Sequence, residues 1–262
     1  MRKDLENNIK SRLGEIRVMN CGEECEIIQY NNARDITVKF LKTGEEAKGD
    51  YGQFKKGSIK SHFTPTVYNI GVVGLETTKI NGKNIKSYDI WNSMLQRCYD
   101  EKLQQKHPTY IGCKVCNEWL YYSNFKKWFN KNYYEIEEQR MHLDKDILKR
   151  ENKIYSPETC VFVPERINSL FTKSNATRGD LPIGVSWIKE TNKYRTVCSI
   201  FDIKTNKSKN KHLGCYNTPN EAFESYKNFK EKYVKQVAEQ YKGRIPSKLY
   251  DAMINYKVEI TD

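Results

Sequence analysis

Apolar positions recur along this chain in three rhythms, and each predicts a different kind of element. Through about residue 65 they come in short runs rich in Ile, Val, Tyr and Phe: "GEIRVM", "CEIIQY", "DITVKFL" and "GSIKS". The polar stretches "NCGE", "NNAR" and "KTGEE" separate them. Short strands at even spacing with Gly and Asn turns predict a small, SH3-like β-barrel over residues 1–65. In "TPTVYNIGVVGLETTKINGKNIKSY" the periodicity fades, so residues 66–87 read as an extended linker that packs along its neighbours.

From residue 88 to 175 the period lengthens. Ile90, Met94 and Cys98 recur at helical spacing in "YDIWNSMLQRCY", and Trp119, Tyr122, Phe125 and Phe129 do so in "EWLYYSNFKKWF". Stripes of this kind build a core. "MHLDKDIL" then reads as a strand, with His142, Asp144 and Asp146 on one face and Leu143, Lys145 and Ile147 on the other. "YSPET" makes a turn, "CVFV" a second strand, and Pro164 opens a helix carrying Asn168.

"KSNATRGD" is a polar connection into residues 176–262, where "IGVSWIKE", "KYRTVCSIF" and "KHLGCY" predict three strands. The helix that follows is the clearest in the chain. Thr218 caps it, Pro219 occupies its first turn, Glu221 completes a capping box and Gly243 stops it. Phe223, Tyr226, Phe229 or Lys230, Tyr233, Val234, Val237 and Tyr241 form its apolar face. "IPSKLYDAMINY" adds a short last helix. The expected fold class is therefore modular α+β: a small barrel, a strand–strand–helix unit with flanking helices, and a three-stranded sheet with a helix.

Charge narrows the partners. Lys and Arg number 45 against 33 Asp and Glu, a net charge of +12. That excess suits a polyanion, because each phosphate neutralised releases condensed counterions. A Lys- and Asn-rich coding bias would give the same basicity. The start, "MRKDLENNIKSRLGEI", lacks the apolar core of a signal peptide, and no run reaches the roughly 18 apolar residues of a membrane helix. A cytoplasmic location, no membrane partner and reduced thiols are expected. Zinc is not expected, because only Cys113 and Cys116 of the eight Cys have knuckle spacing and a structural site wants four ligands.

A His and two carboxylates on one strand face can hold a divalent metal, Mg²⁺ or Mn²⁺, with Asn168 turning its amide oxygen to the same ion. Phosphodiester hydrolysis is the chemistry such a site suits. A turn-rich surface hairpin with solvated acids is the other reading. The stretches "IWNSMLQRCY", "YIGCKVCNEWLYYSNF" and "LDKDI…YSPETCVFVPERIN" resemble, in order and over about 80 residues, the ββα-metal unit of HNH endonucleases of the divergent phage type. The resemblance implies Asp144 as metal-binding acid and Asn168 as second metal ligand. It also puts Lys145 where the general-base His belongs, and Thr159 in place of the orienting Asn. Lysine is a poor base unless burial lowers its pKa, which leaves His142 and Asp146 as substitutes.

"GVSW", "KYR", "HLG.Y.T" and "EAF..Y" resemble the plant AP-two/ERF DNA-binding domain, in the version that phage and homing endonucleases carry after an HNH unit. That domain lays its sheet in the major groove. The resemblance implies Trp187, Lys189, Lys193, Arg195 and Lys211 as contacts to double-stranded DNA, with "KTNKSKNK" as a phosphate clamp. The expected function is metal-dependent nicking of duplex DNA, in a bacterial host's cytoplasm if the chain is phage-encoded. The alternatives are an inactive DNA-binding protein acting as regulator or inhibitor of host defence, and a protein-binding module on the same scaffold. The N-terminal barrel can serve DNA or a protein partner.

Overall fold

The structure, a computed structural model, describes residues 9–172, 180–202 and 207–260. The linker "KSNATRGD", but for Asp180, and the tip of the lysine-rich "KTNKSKNK" hairpin lie outside the described residues, as does the start of the chain. Two compact units form, residues 1–131 with 153–156, and residues 132–152 with 157–262. Both mix helices with small sheets, an α+β class. Among the described residues no helix is long and apolar enough to cross a membrane.

The first unit opens on a four-stranded antiparallel meander: β1 (Ile16–Val18), β2 (Glu24–Asn32), β3 (Asp35–Phe40) and β4 (Glu46–Gly49), in that order. The expected barrel does not close. Among the described residues β4 pairs only with β3 and β1 only with β2, and "GSIKS", expected as a strand, is not one. A short helix, α1 (Tyr51–Lys55), follows β4 instead. Its Asp50–Gln53 capping box is complete, and Phe54 is fully buried. Alternation along β2 and β3 buries Cys25, Ile27, Ile36, Val38 and Phe40, and Phe54 and Ile59 complete that core.

The aperiodic stretch that follows is ordered. Val67 bridges to Gly71 and Val72 to Tyr121. A Cβ on Gly71 would come within 2.5 Å of Leu95 and 2.9 Å of Trp91, so the glycine allows the chain to lie against the helix carrying them. A two-residue turn joins β5 (Lys79–Ile80) to β6 (Lys83–Asn84). Then come α2 (Lys86–Tyr99), α3 (Glu101–Lys106), β7 (Lys114–Val115) and α4 (Tyr122–Asn132). Ile90 and Phe129 of the expected stripes are half-buried, while Trp91, Met94, Leu95, Trp119, Tyr122 and Phe125 are fully buried or nearly so. Each contributes roughly 1.5–3 kcal/mol through apolar burial.

The second unit contains the hairpin β8 (Met141–Asp144) and β10 (Val161–Pro164), followed by α5 (Glu165–Leu170). The short β9 (Ile154–Tyr155), between them in sequence, pairs in parallel with β7 in the first unit. A three-stranded antiparallel sheet follows: β11 (Val185–Ile188), β12 (Lys193–Asp202) and β13 (Lys207–Tyr216). It is backed by α6 (Pro219–Tyr241), and α7 (Ser247–Ile254) ends the unit. The Thr218–Glu221 capping box forms as the sequence predicts. Val185 and Cys198 from the sheet meet Ala222, Phe223 and Tyr226 from α6. At Gly184, with φ +77°, a Cβ would lie 2.1 Å from the Tyr226 ring, so only glycine lets β11 enter against the helix.

Candidate functional site

The ββα hairpin holds the first set of candidate residues. β8 and β10 pair antiparallel, with Asp144 opposite Val161 and His142 opposite Val163. Met141 and Leu143 are buried, while His142 and Asp144 are half-buried. Alternation thus places His142 and Asp144 together on one strand face. The strand stops at Asp144, whose Oδ1 accepts from the backbone N–H groups of Asp146 (2.8 Å) and Ile147 (2.7 Å). This side-chain turn bends the chain away. Asp146 therefore leaves the face that strict alternation would give it beside His142 and Asp144.

Lys145, at the position of the general base in the resembled family, is only 6% exposed. Its ammonium donates to both Asp146 carboxylate oxygens, at 2.7 and 2.8 Å, and to the Asn152 carbonyl at 2.7 Å. Asn152 answers through its Nδ2, which donates to the Lys145 carbonyl at 2.9 Å. This reciprocal clamp closes the loop from 145 to 152. An ammonium donates three protons and accepts none, so Lys145 in this state cannot take a proton from water. Asn152 is the residue that sequence reasoning missed; only its place in a polar loop pointed to it.

Burial pushes the Asp144 carboxyl above the usual carboxylate range, and the two backbone amides pull the other way without cancelling it. The His142 Nε2 is shielded from solvent. Asn168 lies half-buried on α5 beside the fully buried Ile167. Among the described residues no three His, Cys, Asp or Glu side chains gather as a metal-ion group. Asp144 and Asn168 could offer two oxygens to Mg²⁺ or Mn²⁺, a cation that keeps several waters. The set does not fit a metal-and-base centre, however, because the base position holds a clamped ammonium. None of the eight cysteines forms a disulfide, and the Cys113 Sγ–H points to the Thr109 carbonyl at 3.9 Å.

The three-stranded sheet divides the second set. Directly opposed residues share a face, and Arg195 stands opposite Ser186 and Cys215, with Lys193 opposite Ile188. Lys193 and Arg195 are exposed on the face turned away from α6. The Arg195 Nε donates to the Ser186 Oγ at 3.4 Å, and among the described residues neither Lys193 nor Arg195 has an ion-pair partner. Lys189 is exposed in the turn after β11.

Trp187 and Lys211 do not join them on that face. Trp187 opposes Tyr194, which packs against the α6 core, and the two rings lie 4.7 Å apart. Lys211 opposes the buried Cys198, and its ammonium sits over the α6 ring of Phe229 at 4.8 Å. Trp187, on β11, shares the helix-side face with buried Val185 by simple alternation. For Lys211 the cause is a register shift between Thr196 and Val197 in the β12–β13 pairing. A bulge of this kind changes which residues face each other beyond it. Compared with known proteins, the chain matches no family model, no curated protein and no solved structure.

Proposed function

We propose that this chain is a duplex-DNA-binding protein whose ββα hairpin, which resembles that of HNH endonucleases, acts as a scaffold and not as a strand-cutting centre. The observation that carries this reading is the Lys145 clamp: the base position holds a buried ammonium whose three hydrogen bonds close the loop. The DNA side of the reading draws on the net charge of +12 and on exposed Lys189, Lys193 and Arg195, which lack ion-pair partners among the described residues. Uncompensated cations on an open sheet favour phosphate, and Arg adds the geometry for bidentate reading of guanine. Such a protein acts by what it occupies, as a regulator or as a blocker of enzymes that use the same DNA.

A second reading, a metal-dependent nickase, is favoured by one observation: His142 and Asp144 share a strand face beside the helix carrying Asn168. One experiment separates the two. Supercoiled plasmid is incubated with the protein and Mg²⁺ or Mn²⁺, with EDTA and Asp144→Ala as controls, while duplex binding is followed as salt rises. Tight, salt-sensitive binding with intact plasmid is the expected result. Nicking that needs both the metal and Asp144 would sink the scaffold reading.

A further inference from the structure

The β5–β6 hairpin has an unusual surface. All six residues from Lys79 to Asn84 are exposed, and Ile80 near the tip is 62% exposed. Asn81 and Gly82 both have positive φ, 50° and 76°, the geometry of a tight two-residue turn that matches strand twist. Lys79 pairs with Asn84 and Ile80 with Lys83, so each face of the ribbon carries one lysine. Neither lysine has an ion-pair partner among the described residues. The ribbon is anchored at its base, where the Ile85 N–H donates to the Thr78 carbonyl (2.9 Å) and the Asn84 Nδ2 to the Asp89 carboxylate on α2 (2.8 Å).

An isolated two-stranded hairpin is marginal in water, and an exposed isoleucine at its tip adds nothing to folding. Flanking lysines bias what can cover that isoleucine toward a polyanion. Proteins that bend DNA from the minor groove push an apolar Ile, Leu, Met, Phe or Pro between base steps while basic groups hold the phosphates. We infer that the Lys79–Asn84 hairpin is a DNA wedge, with Ile80 entering a base step and Lys79 and Lys83 holding the flanking phosphates. The inference rests on the DNA-binding reading above and adds a second contact surface, in the first unit, that deforms the duplex.

The test uses the full chain and short duplexes centred on a TA step, the kind most easily unstacked. A 2-aminopurine beside the step reports unstacking, and dyes at the duplex ends report bending. Wild type should raise the 2-aminopurine signal and bring the ends together. Ile80→Ala should abolish both while weakening binding roughly tenfold, since without the wedge the duplex no longer bends to meet more of the protein surface. Ile80→Leu should restore them. Lys79→Gln with Lys83→Gln should lower the slope of log affinity against log salt by roughly two, about one per phosphate contact. Binding without an unstacking signal, a full signal in Ile80→Ala, or an unchanged salt slope would each overturn the wedge and leave the DNA reading standing. No duplex binding by wild type would overturn the DNA reading itself.

Discussion

In the ββα hairpin, Lys145 donates three hydrogen bonds within its own loop, and Asp144 accepts two from the backbone of the turn that follows it. In the three-stranded sheet, Lys193 and Arg195 lie on a solvent-facing surface without a carboxylate partner among the described residues. Both regions set charged side chains on antiparallel strands, but only the second leaves them available to a ligand. A buried charge must be paired to be tolerated at all, so pairing at Lys145 says what the fold needs. An exposed charge has no such requirement, and its lack of a partner points outward.

The strongest test of that contrast is Lys145→Met. The substitution keeps the apolar stem but removes a charge-assisted bond to the buried Asn152 carbonyl and the pair with Asp146. The bond to the carbonyl contributes about 1.5–3 kcal/mol. The ion pair adds less, because the Asp146 side chain is 55% exposed and solvent screens it. A total of about 2–3 kcal/mol should lower the melting temperature by roughly 5–10 °C. Thermal unfolding reads this directly. A Lys145→Met protein with wild-type stability would show that the clamp is incidental and reopen the position for chemistry.

Arg195→Ala should do the reverse, leaving stability within about 0.5 kcal/mol of wild type and costing affinity. Loss of a bidentate base contact is worth about 1–3 kcal/mol, or roughly 5- to 150-fold in duplex binding measured at fixed salt. Lys211→Ala provides the control within the same sheet. Its ammonium stacks on Phe229 on the helix side, so the expected loss is stability, about 0.5–1 kcal/mol, with affinity nearly unchanged. Equal losses of affinity in the two variants would mean that the two faces of this sheet do not divide the work.

Local chemistry explains which parts of the chain were legible. Thr218, Pro219 and Glu221 announce α6 because capping is read within four residues, and "MHLDKDIL" alternates because its strand buries one face. The same alternation misplaced Asp146, since an Asp side chain that caps its own turn ends a strand without leaving a periodic mark. The barrel failed for a long-range reason: nothing in "GSIKS" says whether a strand finds an edge, and Asp50–Gln53 started a helix just before it. That capping box was visible and is the signal that could have corrected the reading. Lys211 depended on register beyond a bulge, which periodicity cannot supply, and Trp187 on which face of β11 meets the helix. Lys230, on the apolar face of α6 and 7% exposed, shows how a lysine can sit in a core stripe, its charged form disfavoured by burial.

The smallest effect is expected at Asp144, where the sign matters more than the size. Burial raises its carboxyl above the ordinary value of about 4, so folding favours the protonated form. Its contribution to stability is fully present below that ordinary value and is lost as pH rises through the raised, folded one. Asp144→Asn keeps an acceptor oxygen for the Asp146 and Ile147 amides but has no charge to lose. The variant should match wild type in acid and exceed it near neutral pH by about 1–3 °C in melting temperature, a difference of under about 1 kcal/mol. A wild type more stable than Asp144→Asn at neutral pH would mean that the ionised carboxylate is favoured, as a cation-binding acid would be. Repeating the melts with Mg²⁺ sharpens the point: an ion that binds through Asp144 stabilises wild type by mass action and not the variant. Identical melts with and without Mg²⁺ would place Asp144 with Lys145, among the charges that the hairpin keeps for its own structure.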